Sequence, residues 1–282
     1  MSELLLSTNG LTKQYGHHKA VDKVNLHIKK GAIYGFIGRN GAGKTTCLKM
    51  ISGLARPTAG EIEMFGCKGK ELERIRSRVG CLIEAPGLYG NMNAYTNLKI
   101  KCELFGIRKK GYIEDILETV GLEGVGKKKT KHFSLGMKQR LGIGLALVGE
   151  PDLLVLDEPI NGLDPQGIAE VRDTIQRLRD ERNMTILISS HILEELSKIA
   201  TDYGIIHNGS LLQELTSEEL MKRCSERIEI ELIHPEQAVP ILDRMGFTNY
   251  QVTDKEHIHI FERLNESAAL NMELAKSGIP VK

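Results

Sequence analysis

Apolar and polar positions alternate along residues 4–37, the period of a strand with one wet face. Strands are predicted over Leu4–Ser7, Val21–Ile28 and Ile33–Ile37, with turns at Asn9-Gly10 and Lys30-Gly31. A turn-rich link, Gly53–Gly60, leads to another alternating stretch at Glu61–Phe65. From Asn93 to Gly149 the period lengthens to that of helices. Asn97, Leu98, Cys102 and Phe105 make one face and Ile113, Ile116, Leu117 and Val120 another, while Gly111, Gly121, Gly124 and Gly126 keep the helices short. Leu153–Leu156 and Thr185–Ser190 are β-branched or apolar runs on either side of a helix over Ile168–Arg182. Doubly buried strands alternating with helices predict a parallel α/β sheet. The pattern changes after residue 213. Arg227–Ile233 alternates strictly, and a helix over Gln237–Met245, strands at Tyr250–Val252 and His257–Phe261, and a helix over Asn265–Lys276 complete a βαββα tail. The tail reads as a small α+β packing or dimerisation domain with no site of its own.

The chain length of 282 residues accommodates one large domain plus this small one. A formal net charge of +1 argues against a nucleic-acid partner, which needs a broad basic footprint. The one dense basic run, Lys127-Lys128-Lys129 with Lys131, reads as a solvated loop. The cysteines, Cys47, Cys67, Cys81, Cys102 and Cys224, are odd in number and form no C-x-x-C pair, so free thiols in a reducing compartment are expected. Met1–Leu6 lacks the basic start and long apolar core of a secretory signal. No apolar run approaches the ~20 residues of a membrane helix. A cytosolic chain is expected, or one peripheral on the cytoplasmic face of the membrane. Any pore must then come from another chain.

The most informative stretch is Gly38-Arg39-Asn40-Gly41-Ala42-Gly43-Lys44-Thr45-Thr46, which fits G-x-x-x-x-G-K-[ST] at every required position. Its glycines let successive backbone N–H groups face one anion. Lys44 adds a point charge for the β- and γ-phosphates of a nucleotide, and the Thr45 hydroxyl can ligate Mg²⁺. A helix opening near Gly43 adds the positive end of its dipole. The strand Ile33–Ile37 before the loop and the helical Cys47–Ile51 after it supply the context that the motif demands. Leu153–Leu156 then ends in Asp157-Glu158. That strand carries Asp157 to the carboxyl edge of the sheet, beside the phosphate loop, where it can hold Mg²⁺ directly or through Thr45. Glu158, one residue on, could polarise an attacking water, help worth on the order of 10²–10⁴-fold.

At this point the chain resembles the ATP-binding subunits of ABC transporters over roughly residues 4–213. Tyr15, in Leu11–Gly16, matches the aromatic that stacks on adenine. Such stacking is worth ~1–3 kcal/mol per base in nucleic-acid systems. Phe133–Arg140 matches the family signature, in which Ser134 and Gly136 would face the phosphate of an ATP held by a partner subunit. Asp164, in Asn161–Pro165, matches the dimer-contacting loop, and His191 the switch histidine at the γ-phosphate. The resemblance implies a P-loop fold of ABC type, an α/β core with an antiparallel β subdomain and a helical subdomain at about 87–149. ATP and Mg²⁺ are the implied cofactors. A second ATP-binding subunit, in a head-to-tail homodimer, and an integral membrane permease are the implied partners.

Two departures stand out. Leu135 and Met137 replace a glycine and a glutamine of the usual signature, and Glu84 stands where most relatives have the glutamine that reaches Mg²⁺ and water. Glutamine donates and accepts, whereas ionised glutamate only accepts. Glu84 followed by Pro86-Gly87-Leu88-Tyr89 is similar to the bacitracin-resistance and lantibiotic-immunity subgroup. Export of, or protection against, peptide antibiotics is the expectation. The alternatives are a drug, lipid or ion exporter and a soluble ATPase of iron–sulfur assembly type.

Overall fold

The computed structural model describes residues 3–224, 227–253 and 256–281; the side chain of Cys224 lies outside the described atoms. The chain divides into two compact units, Met1–Ser217 and Glu218–Lys282. The first unit begins with β1 (Leu4–Tyr15), β2 (His18–Val24), β3 (His27–Lys29), β4 (Ile33–Ile37), α1 (Lys44–Ile51), β5 (Ala59–Met64) and β6 (Cys67–Lys68). It continues through α2 (Leu72–Ile75), β7 (Val79–Leu82), α3 (Ala94–Leu104), α4 (Tyr112–Thr119), α5 (Leu135–Leu147) and β8 (Leu153–Asp157). It closes with α6 (Pro165–Arg182), β9 (Thr185–Ser190), α7 (Leu193–Ser197), β10 (Asp202–His207) and β11 (Ser210–Thr216).

A six-stranded sheet in the order β11-β10-β4-β9-β8-β7 forms the centre of this unit. All of its neighbouring pairs are parallel except the β10–β11 hairpin at one edge. The runs predicted to be doubly buried are so: Leu153–Leu156 and Ile186–Ile188 have no exposed surface. Each such side chain contributes about 1.5–3 kcal/mol by leaving water. A second, antiparallel sheet of β2-β1-β5-β6 with β3 on β1 supplies the predicted β subdomain. Helices α3, α4 and α5 pack on one another as the helical subdomain.

Several local expectations need correction. β1 does not turn at Asn9-Gly10 but runs on to Tyr15, absorbing Gly10 as a bulge with φ +60°. The predicted Val21–Ile28 strand is in fact two, β2 and β3, broken at Asn25-Leu26. Side chains take over the ladder at that point. The buried Thr8 hydroxyl donates to Val24 O (2.9 Å) and accepts from Leu26 N (2.8 Å), and Asn25 Oδ1 accepts the Gly10 amide (2.6 Å). Phe105 does not complete the buried face of α3; it is the C-cap and is 48% exposed. β7 and β10 are strands that the pattern does not predict.

In the second unit, α8 (Ser217–Cys224) leads into β12 (Ile228–Glu231), α9 (Val239–Arg244), β13 (Tyr250–Val252), β14 (His257–Ile260) and α10 (Ser267–Lys276). The sheet is antiparallel, in the order β12-β14-β13. Its core gathers Ile230, Leu242, Phe247, Ile258, Ile260 and Leu274.

Gly80 marks the closest approach of a glycine to another stretch of backbone in the first unit, because a Cβ there would stand 2.1 Å from the Ala146 carbonyl oxygen of α5. Gly80→Ala is therefore expected to destabilise by roughly 1–3 kcal/mol, read as a lower urea midpoint. Gly87→Ala, where an added methyl meets nothing within 4 Å, should leave the midpoint in place. Equal midpoints for the two variants would refute the packing argument.

Candidate nucleotide site

Three neighbouring parallel strands, β4, β9 and β8, end at one edge of the central sheet. The register sets Ile37 against Ser190 and Asp157 against Ser189. The phosphate loop on β4 and the acids on β8 therefore share an edge, with β9 between them. The loop leaves β4 pinned to β9, where Gly38 N donates to Ser190 O (3.3 Å). Its far side is held by the β10–β11 turn, where Gly209 N donates to Ala42 O (2.9 Å). Gly41 at φ +81° and Gly43 at φ +106° take left-handed backbone that a side chain would resist, and Gly43 is the N-cap of α1. The free first-turn amides of α1 follow at once. Arg39, Asn40 and Gly41 are exposed, and Ala42 and Lys44 are buried.

The Lys44 ammonium is 5% exposed and donates to Gly38 O (2.5 Å) and Arg39 O (3.3 Å). Glu158 Oε1 faces it at 3.0 Å as an ion pair but makes no aligned hydrogen bond, which leaves a buried carboxylate oxygen under-satisfied. Glu158 Oε2 meets His191 Nδ1 at 2.8 Å. Glu158 holds φ +47°, a left-handed backbone that turns its side chain from the strand line toward Lys44 and His191. Asp157 is 4% exposed. It accepts from Thr45 Oγ1 (2.8 Å) and from Ser189 Oγ (2.6 Å), while Ser189 Oγ in turn accepts the Glu158 amide (3.0 Å). The structure thus brings Thr45, Asp157, Glu158 and His191 together through hydrogen bonds, partly by way of Ser189, and Lys44 to them by an ion pair.

The other predicted residues lie elsewhere. Tyr15, at the end of β1, is 52% exposed, with the Lys13 ammonium 5.0 Å from its ring centroid. Ser134 is the N-cap of α5, accepting from Met137 N (3.2 Å), and Asp164 is the N-cap of α6, accepting from Gly167 N (3.2 Å). The two helix starts touch: a Cβ on Gly136 would stand 3.5 Å from Gly167 Cα. Among the described residues no hydrogen bond joins this second cluster to Gly38–Thr46. Glu84, just after β7, places Oε1 2.6 Å from Lys49 Nζ on α1.

A family model described as ABC transporter matches residues 21–161. The bacitracin transport ATP-binding protein BcrA of Bacillus licheniformis is 46% identical over 279 residues, covering 98% of this chain and 91% of that protein. This chain belongs to the ATP-binding subunits of ABC transporters. The lantibiotic transport ATP-binding protein SrtF of Streptococcus pyogenes is 44% identical over 211 residues, covering 74% of this chain and 90% of that protein. A solved ATP-binding subunit of an ABC transporter superposes with a TM-score of 0.68 at 29% identity, over 78% of this chain and 92% of that one. The chain is accordingly an ATP-binding cassette protein, an ATPase by family.

In this ATP-binding subunit, the oxygen donors Thr45 and Asp157 fit Mg²⁺, which takes one or two protein ligands and completes its shell with water and substrate phosphate. Among the described residues no cluster of three or more His, Cys, Asp or Glu could hold a metal by itself. Cys47 lies three residues past Lys44, but burial pushes its thiol up to about 12, so it is no nucleophile. A cavity of about 380 Å³ opens on the helical subdomain, lined in part by Leu54, Tyr89, Ile100, Lys101 and Leu104. Asn97, 2% exposed, shapes its wall by exchanging hydrogen bonds with both the N–H and the C=O of Tyr89. Burial lowers the Lys101 ammonium below its ordinary value. Among the described residues no helix is long and apolar enough to cross a membrane.

Ser189 is the site residue that motif reading missed. Its signal was present: two serines end a β-branched run just before His191, where an apolar strand has no need of hydroxyls. Supporting groups of this kind typically matter 10–100-fold. Ser189→Ala should lower ATP turnover about tenfold, with ATP affinity changed less than about threefold. Steady-state ATPase assays and nucleotide titration check it; unchanged turnover would remove Ser189 from the site.

Proposed function

We propose that this subunit binds ATP with Mg²⁺ between two copies of itself and hydrolyses it to drive a membrane permease that removes a peptide antibiotic of bacitracin type. The observation that carries the proposal is the cluster of Lys44, Thr45, Asp157, Glu158 and His191 at one sheet edge. The antibiotic class is supported by the BcrA relative, whose match extends over 98% of the chain and so includes the second unit. The Glu84 segment that resembles that subgroup points the same way.

The loop amides and the Lys44 ammonium would hold the β- and γ-phosphates, and Tyr15 would offer its exposed ring to adenine. Thr45 and Asp157 would hold Mg²⁺, with Glu84 reaching it when the subunits close; the bound cation would offset phosphate charge. Once phosphate draws Lys44 away, Glu158 Oε1 is a free base for the proton of an attacking water. His191 orients that carboxylate through Oε2 and would contact the γ-phosphate. Ser134, Gly136 and Asp164, remote from their own loop in hydrogen bonding, would serve the nucleotide of the partner copy through the amides of α5. Peripheral attachment at the cytoplasmic face would follow from docking of the permease in the apolar cavity that the segment Glu84–Phe105 largely surrounds.

Glu158→Gln should lower turnover at least 10²-fold while ATP binding persists. The unhydrolysed nucleotide should then hold the chain as a dimer in size-exclusion chromatography. Lys44→Ala should abolish bacitracin protection in cells that carry the cognate permease. Substantial residual hydrolysis by Glu158→Gln would exclude it as the base, and unchanged protection with Lys44→Ala would exclude the antibiotic reading.

A further inference from the structure

Glu84 is tied to the nucleotide loop through a residue that no motif covers. Lys49 lies on α1, the helix that opens at Lys44 and Thr45. Its ammonium donates to Glu84 Oε1 at 2.6 Å. Glu84 has a left-handed backbone, φ +63°, between Ile83 and Ala85, and both of those neighbours line the 380 Å³ cavity. One ion pair therefore connects the phosphate-loop helix to the cavity rim.

We propose that Lys49 is a positioning residue that holds Glu84 in reserve and competes with Mg²⁺ for its carboxylate. This rests on the reading of Glu84 as a group that reaches the metal. The competition is electrostatic. A carboxylate that ligates Mg²⁺ brings an oxygen within about 2.1 Å of the ion, and an ammonium on the same carboxylate would face a divalent charge at close range. The two cations exclude each other. Glutamine, which lacks the formal charge, would bind such an ammonium weakly, so this device depends on the glutamate that sets this chain apart.

The strength of the pair suits a switch. The side chains are 33% and 65% exposed, and an ion pair this exposed biases an equilibrium by only a few-fold. That is enough to bias the position of Glu84 and too little to lock it. Moving Glu84 from Lys49 to the metal would shift the rim formed by Ile83 and Ala85. Metal loading and the shape of the cavity are thereby linked, and linkage is reciprocal: an occupant of the cavity that draws Glu84 from Lys49 would favour the metal.

The test is a double-mutant cycle on Mg²⁺ affinity rather than turnover. A fluorescent non-hydrolysable ATP analogue is titrated with Mg²⁺, and the concentration giving half-maximal tightening is read for each variant. Metal-free binding of the same analogue serves as each variant's own reference, so a folding defect cannot imitate the shift. Lys49→Met should lower the Mg²⁺ requirement about two- to fivefold when Glu84 is present and leave it unmoved in Glu84→Gln. Lys49→Arg should restore the parent value. A shift of equal size in both backgrounds would overturn the proposal, because removal of a nearby cation alone would explain it. No shift in either background would also overturn it. If Glu84→Ala alone leaves the Mg²⁺ requirement unchanged, Glu84 does not reach the metal, and the underlying reading fails before the latch is tested.

Discussion

Ser189 Oγ donates to Asp157 and accepts from the Glu158 amide, and those two bonds place the acids of β8 relative to the loop of β4. β9 separates the two strands, so neither could position the other through a shared ladder. β9 pairs with β4 on one side, and on the other the serine extends the β8–β9 pairing past the end of β8 with a side chain. It is fully buried, so both of its hydrogen bonds are made in a low-dielectric setting where an unpaired partner would be costly. Thr45, Asp157, Ser189 and Glu158 become a chain of contacts that joins α1 to the ends of β8 and β9. Lys44 and His191 then clasp the two oxygens of Glu158 from opposite sides.

Helix N-termini are used twice in this chain for different ends. α1 begins at Gly43, which has no side chain to cap it, and its first amides remain available to an anion. α5 and α6 begin at Ser134 and Asp164, whose side chains each satisfy one amide of the first turn. Capping by one side chain leaves other first-turn donors open, so the α5 start retains donors for a phosphate. The contact between Gly136 and Gly167 ties the starts of α5 and α6 together.

The departures from the usual pattern acquire a structural setting. Leu135 is half exposed and lies near Gly162, so the larger residue occupies a surface rather than crowding the core. Glu84 is anchored to α1 rather than free in a loop, and the segment that follows it borders the apolar cavity. The acid that stands where relatives carry glutamine is here a charged link to Lys49 of α1.

Much of this protein was legible in its residues. Gly38–Thr46 forms the turn its motif requires because positive-φ positions and a helix start are local properties, encoded by the glycines themselves. The buried strands Leu153–Leu156 and Ile186–Ile188, the βαββα tail and the placing of Ser134 at a helix start also follow from local pattern. Misreadings arose where a long-range bond overrode a local signal, as when Thr8 and Asn25 turned Asn9-Gly10 into a bulge and broke the strand after Val24. Strand order lies beyond periodicity altogether, because a period names the buried faces of a strand and not its neighbours. Only the tertiary structure set β9 between β4 and β8, made Ser189 the bridge and set Lys49 against Glu84. Those pairings join residues far apart in the chain, and their energy exists only once the sheet has closed around them.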